Sequence, residues 1–130
     1  MSTFKEIVVS FETAKLAQEK GFAYDEDICD MVYLEPDGKL YGTLSTPHNL
    51  NKKEVRYQAP TQSLLRKWLR DIHELHPVII PTVHIAWTYK MINTGNEEIE
   101  VPPYEGVHAY DYGTYEEALE AALQEALKLI

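Results

Sequence analysis

The chain has 130 residues, of which 45% are hydrophobic and 25% charged, and these proportions predict one globular domain spanning residues 1–130. No apolar run approaches the ~18 residues of a membrane span, and a single cysteine, Cys29, excludes an internal disulfide and a cysteine-rich zinc cluster. A net charge of −9 disfavours general affinity for nucleic acid, and the N-terminus lacks a signal-peptide pattern, so we expect a cytoplasmic protein.

The first residues predict an extended segment followed by a helix. Residues 6–9 favour a short strand or an extended lead-in. Ser10 is a suitable N-cap, and the apolar spacing after it predicts a helix that continues to Lys20. Gly21 then supplies the left-handed residue at which helices commonly end.

A hairpin is predicted next, because Asp37-Gly38 lies between two apolar runs. The runs span residues 31–34 and 40–44, and an Asp-Gly pair favours a two-residue turn whose central positions need positive φ. Residues 54–58 follow a turn-rich link and form a candidate third strand.

The second predicted helix starts after Thr61, its N-cap, and ends at His76, because Pro77 cannot continue a helix. Its buried face includes Trp68. The apolar stripe consists of Leu64, Leu65, Trp68, Leu69, Ile72 and Leu75.

A second hairpin and a third helix complete the predicted elements. Apolar residues alternate over residues 83–91, and a turn at residues 94–96 predicts a return strand with Ile99 and Val101. Thr114 and Glu117 have the spacing of a capping box at the start of the last helix. The apolar stripe of that helix consists of Ala118, Leu119, Ala122, Leu123, Ala126, Leu127 and Ile130.

These elements predict an α+β fold with the order β-α-β-β-α-β-β-α. Two hairpins favour one mainly antiparallel sheet of four or five strands, packed against about three helices.

The segment of residues 102–113 has no regular period and is the first candidate interaction site. Tyrosine combines apolar area with a polar tip, which protein interfaces favour. The alternative is that the rings cover a sheet edge or the end of the last helix. The candidate residues of this loop are Tyr104, His108, Tyr110 and Tyr112.

An uneven charge distribution provides the second candidate site. The formal charge is −5 over residues 1–50, +4 over residues 51–92 and −8 over residues 93–130. The basic residues in the middle form a patch for phosphate or pair with neighbouring acids. They are Lys52, Lys53, Arg56, Arg66, Lys67 and Arg70.

The histidine-rich segment 73–76 is the third candidate. It resembles the zinc-protease motif, but its histidines, His73 and His76, are three residues apart instead of four. A metal site would need a third ligand, such as His84 or His48. The alternative is that His73 faces solvent and His76 assists helix termination.

No residue is assigned as catalytic and no cofactor is expected. The chain lacks a nucleophile elbow, a phosphate-binding loop and a dinucleotide fingerprint. Cys29 lies in an acidic stretch that raises a thiol pKa, so we interpret it as a small hydrophobic residue.

Three blocks of sequence resemble, in the same order, a group of small uncharacterised proteins of bacterial phages and prophages. The blocks, residues 10–22, 59–77 and 113–130, read SFETAKLAQEKGF, APTQSLLRKWLRDIHELHP and GTYEEALEAALQEALKLI. The resemblance implies a mobile-element context and expression in a bacterial host cell. It implies no reaction, ligand or catalytic residue.

The leading hypothesis is therefore a non-enzymatic, phage-associated protein-binding module. Its acidic, tyrosine-bearing surface would contact a host or phage protein or a second copy of the chain, with no membrane partner. One alternative is a weak nucleic-acid-associated protein that uses the basic residues within 52–70. The other is a metal-dependent hydrolase that uses His73 and His76.

Overall fold

The computed structural model describes residues 7–25, 28–35, 38–42, 55–82, 86–93, 95, 97–99 and 112–130. Within these residues the chain forms three helices and two three-stranded antiparallel sheets, in two compact units, residues 1–63 and 64–130. The α+β class is confirmed, whereas the predicted single sheet of four or five strands is wrong. The prediction that residues 1–130 form a single domain stays a prediction.

Unit 1 contains one helix and one sheet. Its elements are α1 (Phe11–Glu19), β1 (Met31–Glu35), β2 (Leu40–Gly42) and β3 (Val55–Gln58). The central strand is β1, in the order β2-β1-β3, and Tyr33 on it lies opposite both Leu40 and Tyr57. The buried hydrophobic residues of this unit are Val9, Ala14, Ala17, Phe22, Cys29, Val32, Leu34 and Ala59.

Helix α1 begins and ends as its sequence predicts. The Ser10 side chain accepts a hydrogen bond from the backbone N–H of Thr13 at 3.3 Å, which caps the first turn. At the other end Gly21 has φ +96°, and the N–H groups of Gly21 and Phe22 donate to the carbonyls of Gln18 and Ala17. This pair of bonds is a Schellman motif.

Of the two alternatives for the N-terminal segment, the described residues 7–9 form the extended lead-in and not a strand, because they join neither sheet. Val8 instead forms an isolated antiparallel bridge with Thr61, supported by hydrogen bonds from Val9 N to Pro60 O (2.9 Å) and from Gln62 N to Ile7 O (2.8 Å). Pairing stops there, since residue 62 already begins the next helix.

The first hairpin is confirmed between β1 and β2, but its turn is longer than the predicted two residues, because Leu34 pairs with Lys39 and four residues lie between them. Gly38 has φ +67°, and hydrogen bonds from Gly38 N to Leu34 O and from Leu34 N to Lys39 O close the turn. Asp37 and the predicted continuation at residues 43–44 lie outside the described residues.

The side chain of Gln58 holds the chain that follows α1. Its Oε1 accepts from the N–H of Tyr24 at 2.9 Å, while its Nε2 donates to the carbonyl of the same residue at 2.5 Å. One side-chain amide therefore satisfies both backbone groups of a residue 34 positions away.

Unit 2 contains a second three-stranded sheet and a covering helix. Its elements are α2 (Gln62–His73, whose first two residues fall in unit 1), β4 (Leu75–Pro81), β5 (Trp87–Asn93), β6 (Glu98–Ile99) and α3 (Tyr115–Lys128). The strand order is β4-β5-β6, with all pairs antiparallel.

The predicted end of the second helix at His76 is wrong. Helix α2 ends at His73, Glu74 takes a left-handed conformation with φ +58°, and β4 begins at Leu75. Pro77 disfavours helical conformation in the residue before it. The alternative, strand β4, pairs over its full length with β5 and buries Leu75. Ile72, predicted in the buried stripe, is 62% exposed.

The second hairpin is confirmed between β5 and β6. Met91 lies opposite Ile99, and Asn93 N donates to Glu97 O at 2.9 Å. Residues 83–85, predicted as the start of this strand, and Val101 lie outside the described residues.

Helix α3 also matches its prediction. The Thr114 side chain accepts from Glu117 N at 3.1 Å, and α3 packs against β4 and β5. Ile130 is half-buried, while the other residues of the predicted stripe are buried: Ala118, Leu119, Ala122, Leu123, Ala126 and Leu127. Every helix within the described residues falls short of the length and apolar character that a membrane crossing requires.

Candidate aromatic interface

One face of strand β5 is buried at the end of the strand and carries two partly exposed aromatic side chains at its start. Trp87, Tyr89 and Met91 share one face, because side chains alternate along a strand. Met91 is completely buried, whereas Trp87 and Tyr89 are half-buried. The face therefore changes from core to surface within five residues of strand.

The end of the predicted tyrosine loop is attached to this strand. Tyr112 and Trp87 exchange two backbone hydrogen bonds, from Tyr112 N to Trp87 O at 2.7 Å and from Trp87 N to Tyr112 O at 2.8 Å. The Tyr112 ring lies 6.3 Å, between centroids, from the ring of Tyr89. Both its backbone and its ring are thus positioned by β5.

Tyr115, the first residue of α3, contributes a fourth ring. It meets Trp87 edge-to-face, with centroids 5.5 Å apart and an interplanar angle of 86°. Its hydroxyl accepts from Arg66 Nη1 at 3.1 Å, and Arg66 Nη2 donates to the carbonyl of Pro77 at 2.8 Å. Arg66 therefore ties α2 to β4 and to the start of α3.

We call these four half-buried residues the aromatic cluster: Trp87, Tyr89, Tyr112 and Tyr115. Their rings are fixed by strand pairing and ring contacts, while part of each remains accessible to another molecule. Aromatic side chains with polar tips are enriched in protein interfaces. The arrangement is suited to binding through apolar and hydrogen-bonding contacts.

Only one member of the aromatic cluster, Tyr112, is identified from the sequence as a site residue. The other candidate loop residues, Tyr104, His108 and Tyr110, lie outside the described residues. The alternation of apolar residues that includes Trp87 and Tyr89 predicts a strand. It does not indicate that these two rings contact Tyr115 and Tyr112.

The basic patch predicted from the sequence is divided between the units. Arg56 is exposed on β3 in unit 1, and Lys52 and Lys53 lie outside the described residues. Arg66, described above, donates to groups within unit 2.

Two further members of the basic patch contact one carboxylate. Arg70 Nε and Lys67 Nζ lie 3.1 and 3.2 Å from the two oxygens of Asp71. The hydrogen bond from Arg70, and then that from Lys67, lowers the pKa of Asp71. Trp68 is buried, as its helical position predicts.

The two histidines of the metal hypothesis occupy different elements. His73 ends α2 and its ring packs edge-on against Trp68 at 4.6 Å, so it is half-buried and not a freely exposed side chain. His76 lies in β4 and therefore does not terminate the helix. Burial, and then the charges of Arg66 and Arg70, lowers the pKa of His76.

No third ligand joins these histidines in the part of the chain that the structure describes. There, no group of three or more His, Cys, Asp or Glu side chains is placed to hold a metal ion. The predicted third ligands, His48 and His84, lie outside that part.

Cys29 is buried, and the interpretation of this residue as a small hydrophobe is confirmed. Burial raises the pKa of its thiol, and the neighbouring charge of Asp30 acts in the same direction. Such a thiol is a poor nucleophile at neutral pH.

The sequence matches no protein-family model, and comparisons with curated proteins and with solved structures find no match. The functional proposal therefore depends on the contacts within the chain.

Proposed function

We propose that the chain is a non-enzymatic, phage- or prophage-associated protein-binding module of the bacterial host cytoplasm. The observation that supports binding is the aromatic cluster, in which four rings are held in place yet are only half-buried. Tyr and Trp are the residue types that most often dominate binding energy in protein interfaces.

Preorganisation strengthens this proposal. Binding costs less when the contacting side chains are already ordered in the free protein. The double backbone bond between Trp87 and Tyr112 and the edge-to-face contact of Trp87 with Tyr115 provide that order. Arg66, whose two Nη groups donate to Tyr115 and to the carbonyl of Pro77, holds the hydroxyl of Tyr115 in place.

The phage association is supported by the resemblance of residues 10–22, 59–77 and 113–130 to phage and prophage proteins. The last block contains Tyr115 and all of α3, so the resemblance includes one side of the aromatic cluster.

The contacts of the basic residues weigh against the nucleic-acid alternative. Lys67 and Arg70 share Asp71, and the guanidinium of Arg66 is engaged with Tyr115. Phosphate binding would have to replace these bonds, and affinity for nucleic acid depends on the number of phosphates that Lys and Arg side chains neutralise.

The decisive experiment is to identify a partner and then remove single rings. The full chain serves as bait in a lysate of phage-infected bacteria, and a captured protein is purified and titrated by calorimetry. Tyr89→Ala and Tyr112→Ala should each weaken binding by about 2 kcal/mol, roughly thirtyfold, if the rings are central contacts. Tyr41→Ala, which removes a half-buried ring from β2 of unit 1, is the matched control.

Backbone pairing of Tyr112 does not depend on its ring, so amide NMR spectra of Tyr112→Ala should show an intact fold. Equal affinity of the Tyr89→Ala, Tyr112→Ala and Tyr41→Ala variants for the partner would contradict the proposal. Sedimentation of the free chain tests the second-copy version of the same proposal.

A further inference from the structure

We infer that the partner segment bound at the aromatic cluster is rich in arginine or lysine. The inference concerns the same surface and so rests on the proposed function. Faces of Trp and Tyr rings attract cationic groups, most strongly when the site also excludes water. The charges around the cluster select this class of partner over others.

Negative charge begins immediately beside the cluster. Glu116 and Glu117 follow Tyr115 in the first turn of α3, and both are exposed. Residues 93–130, which include Tyr112 and α3, have a formal charge of −8. A cation approaching the rings would therefore also approach carboxylates.

The described cations of unit 2 do little to oppose that field. Lys90 is on β5 but points to the face opposite Trp87 and Tyr89, because strand side chains alternate. Lys128 is thirteen residues beyond Tyr115 on α3, about 20 Å along the axis, and it contacts Glu125 at 3.4 Å.

The remaining cations of the described part of unit 2 are on α2. Lys67 and Arg70 contact Asp71. Arg66 alone among them donates to the cluster, and its single charge is held between the hydroxyl of Tyr115 and the carbonyl of Pro77, against the two exposed carboxylates of the first turn of α3. The field at the cluster remains favourable to a cation.

A second copy of the chain fits this surface less well. Each chain has a net charge of −9, so association of two copies through the acidic end of α3 is opposed by repulsion. A purely apolar partner would gain no electrostatic attraction from Glu116 and Glu117. A basic segment satisfies both the rings and the carboxylates.

The test uses a defined probe, an end-blocked peptide of alternating arginine and glycine. The matched control peptide has citrulline, which is uncharged and similar in shape, at each arginine position. Binding to the full-length protein is followed by amide and indole NMR shifts and by tryptophan fluorescence, with Trp87→Phe separating the signal of Trp87 from that of the buried Trp68.

We expect the arginine peptide to shift the signals of Trp87, Tyr112 and Glu116, and the citrulline peptide not to do so. Tyr112→Ala should weaken peptide binding by roughly threefold to thirtyfold. Neutralising Glu116 and Glu117 together as glutamines should weaken it by roughly twofold to fivefold. Neutralising Glu12 and Glu19, two exposed acids of α1, changes net charge equally and should have a smaller effect.

Equal weakening by both pairs of glutamine substitutions would overturn the inference, because it would indicate non-specific electrostatic attraction. The absence of shifts at the cluster would also overturn it, because the peptide would then bind elsewhere or not at all. Equal binding of the citrulline peptide would also overturn it, in favour of an uncharged partner. If Tyr112→Ala loses a purified partner while the arginine peptide does not bind, the proposed function stands and only the partner chemistry is wrong. If Tyr89→Ala and Tyr112→Ala keep full affinity for that partner, the proposed function itself fails.

Discussion

Replacing Glu74 by glycine should stabilise unit 2. Among the described residues, Glu74 is the one non-glycine residue with positive φ, at +58°, and it alone connects α2 to β4. Its side chain is exposed, so the substitution removes little packing. The change therefore isolates the conformational energy of the backbone at this junction.

The magnitude is a difference between two opposing effects. A residue with a Cβ atom in the left-handed region costs about 1–2 kcal/mol, and glycine avoids that cost. Glycine loses about 0.5–1 kcal/mol more conformational entropy on folding. The expected net gain is about 0.5–1 kcal/mol, or roughly 2–5 °C in melting temperature. Glu74→Ala retains the Cβ and should give little gain, whereas Glu74→Asn should give part of it.

Urea unfolding followed by tryptophan fluorescence measures this gain. Both tryptophans, Trp68 and Trp87, belong to unit 2, so the signal reports on the unit that contains the substitution. The midpoint should rise with an unchanged slope. Glu120→Gly in the interior of α3 is the matched control and should lose about 1 kcal/mol, because its backbone is helical.

A fall in the midpoint of Glu74→Gly as large as that of Glu120→Gly would refute the reasoning. It would mean that residue 74 adopts an ordinary conformation and that α2 and β4 are joined differently.

Three further predictions concern a glycine, a cap and a histidine. Gly21→Ala should destabilise unit 1 by about 1 kcal/mol because φ is +96°, and this cost comes from the backbone alone, since no atom lies within 4 Å of the new Cβ. Gly113→Ala, which also has open space but lacks a positive φ, should be nearly neutral in thermal unfolding. Thr114→Ala should cost about 0.5–2 kcal/mol by removing the acceptor for Glu117 N, and Thr114→Ser should retain most of that stability. The pKa of His76 in the folded protein is lowered from its ordinary 6.5, so between the lowered pKa and pH 6.5 the folded state binds fewer protons than the unfolded state. The free energy of unfolding should therefore rise with pH across this window and reach its full value above pH 6.5. His76→Gln should flatten that part of the profile in denaturant unfolding measured at a series of pH values, and an unchanged slope would contradict the assignment.

Elements with local signals were predictable from the sequence. Ser10 and Gly21 delimit α1, Gly38 closes the first hairpin and Thr114 caps α3. Each acts within a few residues, because the two hydroxyls accept a nearby backbone N–H and the two glycines adopt positive φ. Such signals require no knowledge of the rest of the fold.

The features that were missed depend on distant pairing. Leu75 fits a helical stripe as well as a strand, and only the pairing of β4 with β5 favours the strand. The division of the strands into two sheets is likewise a choice among pairings of similar local quality. In the candidate site, composition points to Tyr112, but its bond to Trp87, 25 positions earlier, has no local sequence signal.

The reciprocal bonds between Gln58 and Tyr24 define how freely position 58 can vary. Glutamate could accept from Tyr24 N but not donate to its carbonyl, and asparagine is one methylene too short to reach both groups from the same backbone position. Lysine or arginine could only donate. Position 24, in contrast, contributes only its backbone to these bonds, so any residue except proline could maintain them. A library of substitutions would therefore favour glutamine at position 58, although the residue at position 24 that it binds can vary.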